Sequence, residues 1–397
     1  MRSSASLFRN PASSPIYFTR GVPPSEAIPS EELGVIARSL VDRPPQQLFQ
    51  YAPSNGYLGD RVLRAAIGEA NRVSPDEVFI GNGSLQVLDL LAAILVKPER
   101  STVLVEQPTY DRSIRIFGRH GARVVGVPLQ GDGIDIAMLA EQMKRLRAAA
   151  LYLIPDFQNP AGITTSLVKR RQILDLAAEF DVLVIEDTPY RELRFEGVAQ
   201  PLFKDIAGRA RVVTIGSLSK TLSPGLRIGY AIGSGALMRQ LAELATDTYL
   251  SPAPICQSIA AECFRAGLVE RNIVRVCDLI RPKWAAAIGG ASEIFGRDCM
   301  CLPQGGYFLG ITVNSDLSEP AFIASASTAG VIMTPGSAFF PSEGQPGSGT
   351  LFLRLPFHAL DPGDFRSGLE ILQNILANGR QRSRGADLEA SNGKFTG

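Results

Sequence analysis

Histidine, tryptophan and any surplus of charge are what this 397-residue chain has least of. It carries two histidines, His120 and His358, and one tryptophan, which excludes a histidine-rich metal centre; no metal site is expected. Lys and Arg number 40 against 39 Asp and Glu, a formal charge of +1. No basic field is therefore available to hold nucleic acid or an anionic membrane. No apolar run reaches the ~18 residues of a membrane span. The longest candidate, 85–96, is interrupted by Gln86 and Asp89. The opening MRSSASLFRNPASSP lacks the continuous apolar core of a secretory signal. Five cysteines, Cys256, Cys263, Cys277, Cys299 and Cys301, are scattered and odd in number. That argues against a disulfide framework and for a reducing compartment, the cytoplasm. No internal repeat is apparent, and no GxGxxG follows the first strand, which weighs against a plain dinucleotide-binding protein.

What is present is a globular chain, 45% hydrophobic and 20% charged, with enough residues for roughly two or three domains. Residues 1–15, rich in Ser and Pro, read as a mobile arm, and 379–397, almost without apolar residues, as a disordered tail. Between them short apolar strands alternate with helices. Strands are expected at 78–80, 102–106, 123–127, 149–154, 182–185, 212–215 and 227–232, and helices at 85–96, 110–120 and 167–180. This alternation predicts an α/β fold with a mainly parallel sheet covered on both faces, binding its ligand at the carboxyl ends of the strands. A long helical stretch over 253–287 leads to a smaller α+β unit with strands at 305–313 and 351–355.

Several residues at those strand ends carry chemistry. Lys220 follows the strand VVTIG within SLSKT, with Ser217 and Ser219 beside it and Arg227 shortly after. Hydroxyls and a guanidinium next to a lysine offer phosphate ligands. Asp187 ends an apolar strand, and a buried carboxylate there needs a cationic partner such as a protonated pyridine nitrogen. Glu186, one residue earlier, points to the opposite face. Gly81-Asn82-Gly83-Ser84 joins a strand to a helix and offers backbone N–H groups to an anion, although such turns also occur without one. Asn159 is held extended before Pro160 and can reach a ligand, or simply makes a turn. Tyr110 follows a strand, where its ring suits a flat ligand, and Tyr190 lies three residues past Asp187. Arg354, flanked by apolar residues, either clamps a carboxylate or snorkels from an edge strand.

Taken together, the segments YAPSNGYLGDRVLRAAI, GNGSLQVLDLL, EQPTYDRS, PDFQNPAG, VIEDTPYREL, SLSKTLSPGLRIGY, PQGGYFLG, PGSAFF and LFLRLPF resemble, in order, those of the fold-type-I pyridoxal-phosphate-dependent aminotransferases of class I/II. The likeness is greatest to the branch with the 2-aminoadipate and kynurenine aminotransferases, and it runs over about 16–376. The resemblance implies an aspartate-aminotransferase-like three-layer α/β/α large domain (48–285) and a smaller α+β domain (286–378), with the segment 16–47 packing on the latter. It implies a ping-pong transfer of an amino group from an L-amino acid to a 2-oxo acid, in a homodimer with shared sites.

It also implies roles. Lys220 would hold pyridoxal 5′-phosphate covalently and then move the substrate's proton. Asp187 would keep the pyridine nitrogen protonated. Asn159 and Tyr190 would bond the ring's phenolate oxygen, and Tyr110 would stack on the ring. Ser84, the Leu85 backbone N–H, Ser217, Ser219 and Arg227 would hold the phosphate, joined by Tyr51 of the neighbouring subunit. Arg354 would take the substrate α-carboxylate. Leu85 stands where relatives often carry glutamine, Leu218 and Ala161 replace a common aromatic and a threonine, and Arg20 stands where relatives carry a small residue. Arg20 then either reads an acidic substrate side chain or lies on the surface. The same cofactor also serves cyclases, lyases, decarboxylases and oxidases, and similar domains occur in transcription regulators behind a winged-helix module, for which the match at about residue 16 leaves no room.

Overall fold

The computed structural model describes residues 14–19, 21–52, 57–345 and 347–392. Most of the arm expected at 1–15, the residue Arg20 and positions 393–397 lie outside them. Twelve strands are described: β1 (Ile16–Phe18), β2 (Val78–Asn82), β3 (Thr102–Gln107), β4 (Arg123–Gln130), β5 (Gly133–Ile134), β6 (Ala148–Leu153), β7 (Leu183–Asp187), β8 (Val212–Ser217), β9 (Ile228–Ile232), β10 (Phe308–Asn314), β11 (Val331–Met333) and β12 (Thr350–Pro356). Eight of them form one sheet in the order β2-β9-β8-β7-β6-β3-β4-β5. The run from β8 through β4 is parallel, and β9 is antiparallel to both of its neighbours.

The sequence explains the layering. Strands β6 (AAALYL) and β7 (LVIED) are buried along their whole length, as parallel strands covered on both faces must be. Successive side chains alternate between faces. Ala150, Tyr152 and Ile185 join one core with Leu88, Leu91 and Phe117 of the helices Ser84–Leu95 and Asp111–Arg119. Leu151, Leu153 and Val184 join a second core with Leu139 and Ile173 of the helices Ile136–Arg145 and Leu167–Glu179. Each fully buried aliphatic side chain contributes roughly 1.5–3 kcal/mol, against about 0–1 kcal/mol for an exposed ion pair, so these two cores hold the sheet.

The helical stretch expected as one piece is two. The helix Pro254–Arg265 ends before Gly267, whose φ of 63° suits a residue without a side chain, and the next helix runs over Leu268–Phe295. Beyond it, β10 and β12 pair antiparallel, and β1 pairs in parallel with β11, so the start of the chain is stitched to its last third. The final helix spans Pro362–Asn392 and so runs past Gly379, where the composition reads as a disordered tail. Its first half buries Leu369, Leu372 and Leu376. Its second half is polar and includes the helix formers Arg380, Gln381, Arg382, Arg384, Ala386, Leu388, Glu389 and Ala390 alongside Gly379 and Gly385, so its propagation starts from the packed half.

Candidate active site

The carboxyl ends of β3, β6, β7 and β8 open into a cavity of about 150 Å³. Ten of the residues singled out in the sequence line it: Ser84, Leu85, Tyr110, Asn159, Asp187, Tyr190, Ser217, Ser219, Lys220 and Arg227. They come from five separate loops or strand ends, spread over 144 residue positions, and only the strand order brings them together.

Lys220 lies just past β8, and its ammonium donates to the Gly21 carbonyl. Burial, with the Arg227 charge adding to it, lowers its pKa from 10.5 to about 8. The amine therefore exists in part as the free base near neutral pH, the form that attacks carbonyls and takes protons. Asp187 is the last residue of β7 and 7% exposed. Its Oδ2 accepts from the Tyr152 hydroxyl at 2.7 Å, while Oδ1 is buried without a partner. Burial raises its pKa to about 6 against the opposing Tyr152 bond. A bare carboxylate oxygen facing a ligand cavity fits a protonated ring nitrogen.

At the other end of the cavity, Gly83 precedes the helix Ser84–Leu95 with a φ of 90°. That φ favours glycine, and a Cβ there would lie 2.2 Å from Arg227 Nη2 and displace the guanidinium tip. The helix N-terminus, the Ser84 and Ser219 hydroxyls and Arg227 together offer donors and positive charge to a phosphate. Ser217, which lines the same cavity, also accepts at its Oγ from the Ser219 backbone N–H at 3.1 Å and shapes the turn into Lys220.

Asn159 and Tyr190 are 3% and 5% exposed. The Asn159 loop is pinned by Gln158, whose amide donates to the Pro108 carbonyl at 2.7 Å and to Glu106 at 3.2 Å and accepts from the Ala161 N–H at 2.8 Å. Tyr190 packs against Tyr307 and Phe308, with centroids 5.5 and 5.7 Å away. Tyr110 is the residue before the helix Asp111–Arg119, and burial pushes its hydroxyl up to about 12, leaving it neutral.

Arg354 lies in β12, opposite Gly310 of β10. It does not snorkel: it is 6% exposed, with its guanidinium 4.9 Å from the Phe308 ring and 4.5 Å from the Phe339 ring. Its described partners are Asn159 Oδ1 at 3.4 Å, Thr334 Oγ1 at 3.3 Å and the Thr19 carbonyl, none of them charged, and its buried Nε has none. A buried guanidinium with only neutral hydrogen-bond partners is suited to receive a carboxylate. Tyr51 stands apart, 79% exposed and off the cavity. Arg20 is outside the described residues; its chain neighbours Thr19 and Gly21 both touch the site through their carbonyls.

Three features were not legible as site residues. Tyr152 is one; a lone hydroxyl in a strand buried on both faces was the available signal. Asp156 is another: wholly buried, it receives Arg170 at 2.9 Å, Arg191 at 3.1 Å and Arg194 at 3.4 Å, tying the Asn159 loop to the segment after Tyr190. His358 is the third. It is fully buried, stacked on Tyr307 at 3.9 Å, and its Nε2 bonds the Val22 carbonyl. Burial drops its pKa to about 3, so it stays neutral and braces the wall of the site. Glu186 points away from Asp187 as the strand alternation predicts, accepting from the Phe203 N–H and the Thr214 hydroxyl.

A desolvated lysine, an unpartnered carboxylate oxygen and a helix N-terminus within one cavity are the chemistry that a pyridoxal-phosphate site on an α/β fold requires. The chain belongs to the class I and II aminotransferases, whose family model matches residues 48–348. It is 33% identical over 365 residues to the 2-aminoadipate transaminase of Thermus thermophilus, covering 91% of this chain and 90% of that one. The crystal structure of Pyrococcus horikoshii kynurenine aminotransferase, solved with PMP, superposes with a TM-score of 0.85 at 27% identity, covering 92% of each chain. Aspartate aminotransferase of Thermus thermophilus shares the fold, with a TM-score of 0.78 at 21% identity over 91% of this chain and 92% of that one. The protein is a pyridoxal-phosphate-dependent aminotransferase of aspartate-aminotransferase-like fold. Among the described residues, no helix is long and apolar enough to cross a membrane.

Proposed function

We propose that the enzyme moves the amino group of an L-amino acid to a 2-oxo acid in two half-reactions at this one cavity, with Lys220 as its catalytic base. The observation that carries this reading is the desolvated Lys220 amine lining the same cavity as the unpartnered Asp187 oxygen. Bound pyridoxal phosphate supplies an electron sink that makes the substrate Cα–H acidic. Lys220 would hold the cofactor and, as a free amine, would take the Cα proton. Asp187 holds a proton on the ring nitrogen through its free oxygen. Asn159 and Tyr190 bond the ring oxygen and Tyr110 covers the ring face. The helix end at Ser84 and Leu85, with Ser217, Ser219 and Arg227, fixes the phosphate. Arg354 clamps the α-carboxylate, between aromatic rings that keep water from it.

The finer reading concerns substrate and assembly. An acidic amino donor is proposed, because Arg20 falls between two residues that touch the site and the relative from Thermus is named for 2-aminoadipate. A homodimer is proposed, with Tyr51 serving the partner's phosphate. In support, Val35, Phe49, Tyr51 and Val62 are each more than half exposed, Val35, Phe49 and Val62 on or beside helices that pack against the helix Pro254–Arg265. All five cysteines are free, which supports a reducing, cytoplasmic setting.

The test is spectrophotometric. Single amino acids added without any 2-oxo acid should bleach the yellow enzyme in one turnover, acidic ones at the lowest concentration, and 2-oxoglutarate should restore the colour. Continued product formation without an acceptor, or ammonia release with oxygen uptake, would reject amino transfer.

A further inference from the structure

We propose that Tyr152 is a positioning residue of this active site: its hydroxyl clamps one oxygen of Asp187 so that the other is presented to the ring nitrogen of the cofactor. The inference rests on the assignment of Asp187 given above. Nothing in the segments that identify the family singles Tyr152 out; the geometry does.

Strands β6 and β7 are parallel neighbours, with Tyr152 in register with Ile185. Asp187 lies two residues further on and therefore on the same face. Two residues of strand span about 6.6 Å, a distance that a tyrosine leaning along the strand covers and that a shorter hydroxyl-bearing side chain does not. The hydroxyl arrives at 2.7 Å from Asp187 Oδ2.

The clamp is rigid because its base is. Tyr152 is fully buried, and the edge of its ring meets Phe117 with centroids 5.9 Å apart. A tyrosine fixed in this way has one place to put its O–H. Asp187 Oδ1 is correspondingly the oxygen left bare. A carboxylate bonded at one oxygen by an immobile donor cannot turn about its own axis to offer either oxygen at random. Burial also pushes the Tyr152 hydroxyl well above its ordinary value. It therefore remains a donor throughout the working range, and the bond it makes favours the ionised carboxylate that a protonated ring nitrogen requires.

Tyr152→Phe keeps the ring and its packing and removes only the bond. Four proteins are compared: wild type, Tyr152→Phe, Asp187→Asn and the double variant. Pyridoxal phosphate affinity is read from the visible band, melting temperature with and without cofactor, and kcat and KM from steady-state turnover. Tyr152→Phe should bind pyridoxal phosphate ~10-fold more weakly or worse, as expected when a hydrogen bond to a charged group is lost. The melting-temperature gain on adding cofactor should shrink, and kcat should fall with the donor KM unchanged. In the Asp187→Asn background, Tyr152→Phe should cost no further affinity, because its effect runs through that carboxylate. Two results would overturn the proposal: a Tyr152→Phe protein that matches wild type in affinity and in its gain on loading, or losses that simply add in the double variant. A wild type that takes up no pyridoxal phosphate would instead bring down the cofactor assignment itself, and this inference with it.

Discussion

Three carboxyl groups are buried within the strands near their carboxyl ends: Glu106 of β3, and Glu186 and Asp187 of β7. Desolvation raises them to about 8, about 7 and about 6 respectively. Glu106 is the clearest case. Its Oε2 accepts from the Ile154 N–H at 2.9 Å and from Gln158 at 3.2 Å, so it holds the Asn159 loop to β3 by hydrogen bonds that need no charge. In the folded protein it binds a proton over the range from 4.5 to about 8 that the unfolded chain has already released. Stability linked to Glu106 is therefore fully present below about pH 4.5 and is lost as pH rises toward 8, at up to ~1.4 kcal/mol per pH unit. Glu106→Gln removes the proton and keeps an acceptor. Melting curves of the cofactor-free proteins between pH 5 and 8 should show the variant gaining steadily on wild type as pH rises. A constant offset across that range would mean that Glu106 does not titrate there. Single residues of this kind were hard to read from the sequence. Tyr152 and Asp187 are 35 positions apart, Arg354 and Asn159 195 apart. Periodicity places a side chain on a face, but it does not say which side chain of another strand will meet it.

Elements were far more legible. The nine expected strands appear within a few residues of where apolar runs put them, because a buried strand admits little else, whereas β1, β5 and β11, two or three residues long, were not visible. The break at Gly267 and the extension of the last helix to Asn392 were not visible, since the first depends on one backbone angle and the second on propagation from a packed half. The junction of β9 with the helix Ser84–Leu95 shows what an element boundary can do for function. Gly229 lets the two backbones touch: a Cβ there would lie 2.1 Å from the Ser84 nitrogen and 2.3 Å from the Gly83 carbonyl carbon. Both are main-chain atoms and cannot swing aside as a side chain tip would. Gly229→Ala must therefore push the helix N-terminus off the sheet, and with it the donors that meet the phosphate. Overpacking of this sort costs about 1–3 kcal/mol. Cofactor affinity, measured by titrating the visible band, should drop ~10-fold or more, as 1.4 kcal/mol per tenfold implies. Gly225→Ala is the control, since its added Cβ meets only Ser223 Oγ, at 3.6 Å. Equal affinity in the two variants would show that the approach of β9 to the helix does not set the phosphate end.

At the scale of the whole molecule, the single chain leaves two things unexplained: a set of exposed apolar side chains, and a tyrosine that the family resemblance assigns to the cofactor but that stands off the cavity. Val35 is 66% exposed, Phe49 62%, Val62 60% and Tyr51 79%. The proposed two-fold dimer would answer both at once, because an isologous interface would bury the same patch on each subunit and bring Tyr51 of each toward the other's site. The consequence can be separated from mere dimerisation by mixing defects. Lys220→Ala removes the base, and Tyr51→Ala removes the group lent to the partner. In a heterodimer of the two variants, one site combines the intact Lys220 of the Tyr51→Ala subunit with the intact Tyr51 of the Lys220→Ala subunit. The other site lacks both. Refolded or co-expressed mixtures, with heterodimers verified by two affinity tags, should therefore regain about half of the wild-type rate per heterodimer, as one whole site in two requires. Each parent homodimer, assayed alone, should be clearly impaired. If verified heterodimers show no more activity than the mean of the two parents, each site is built within one chain, and Tyr51 serves only the surface on which it lies.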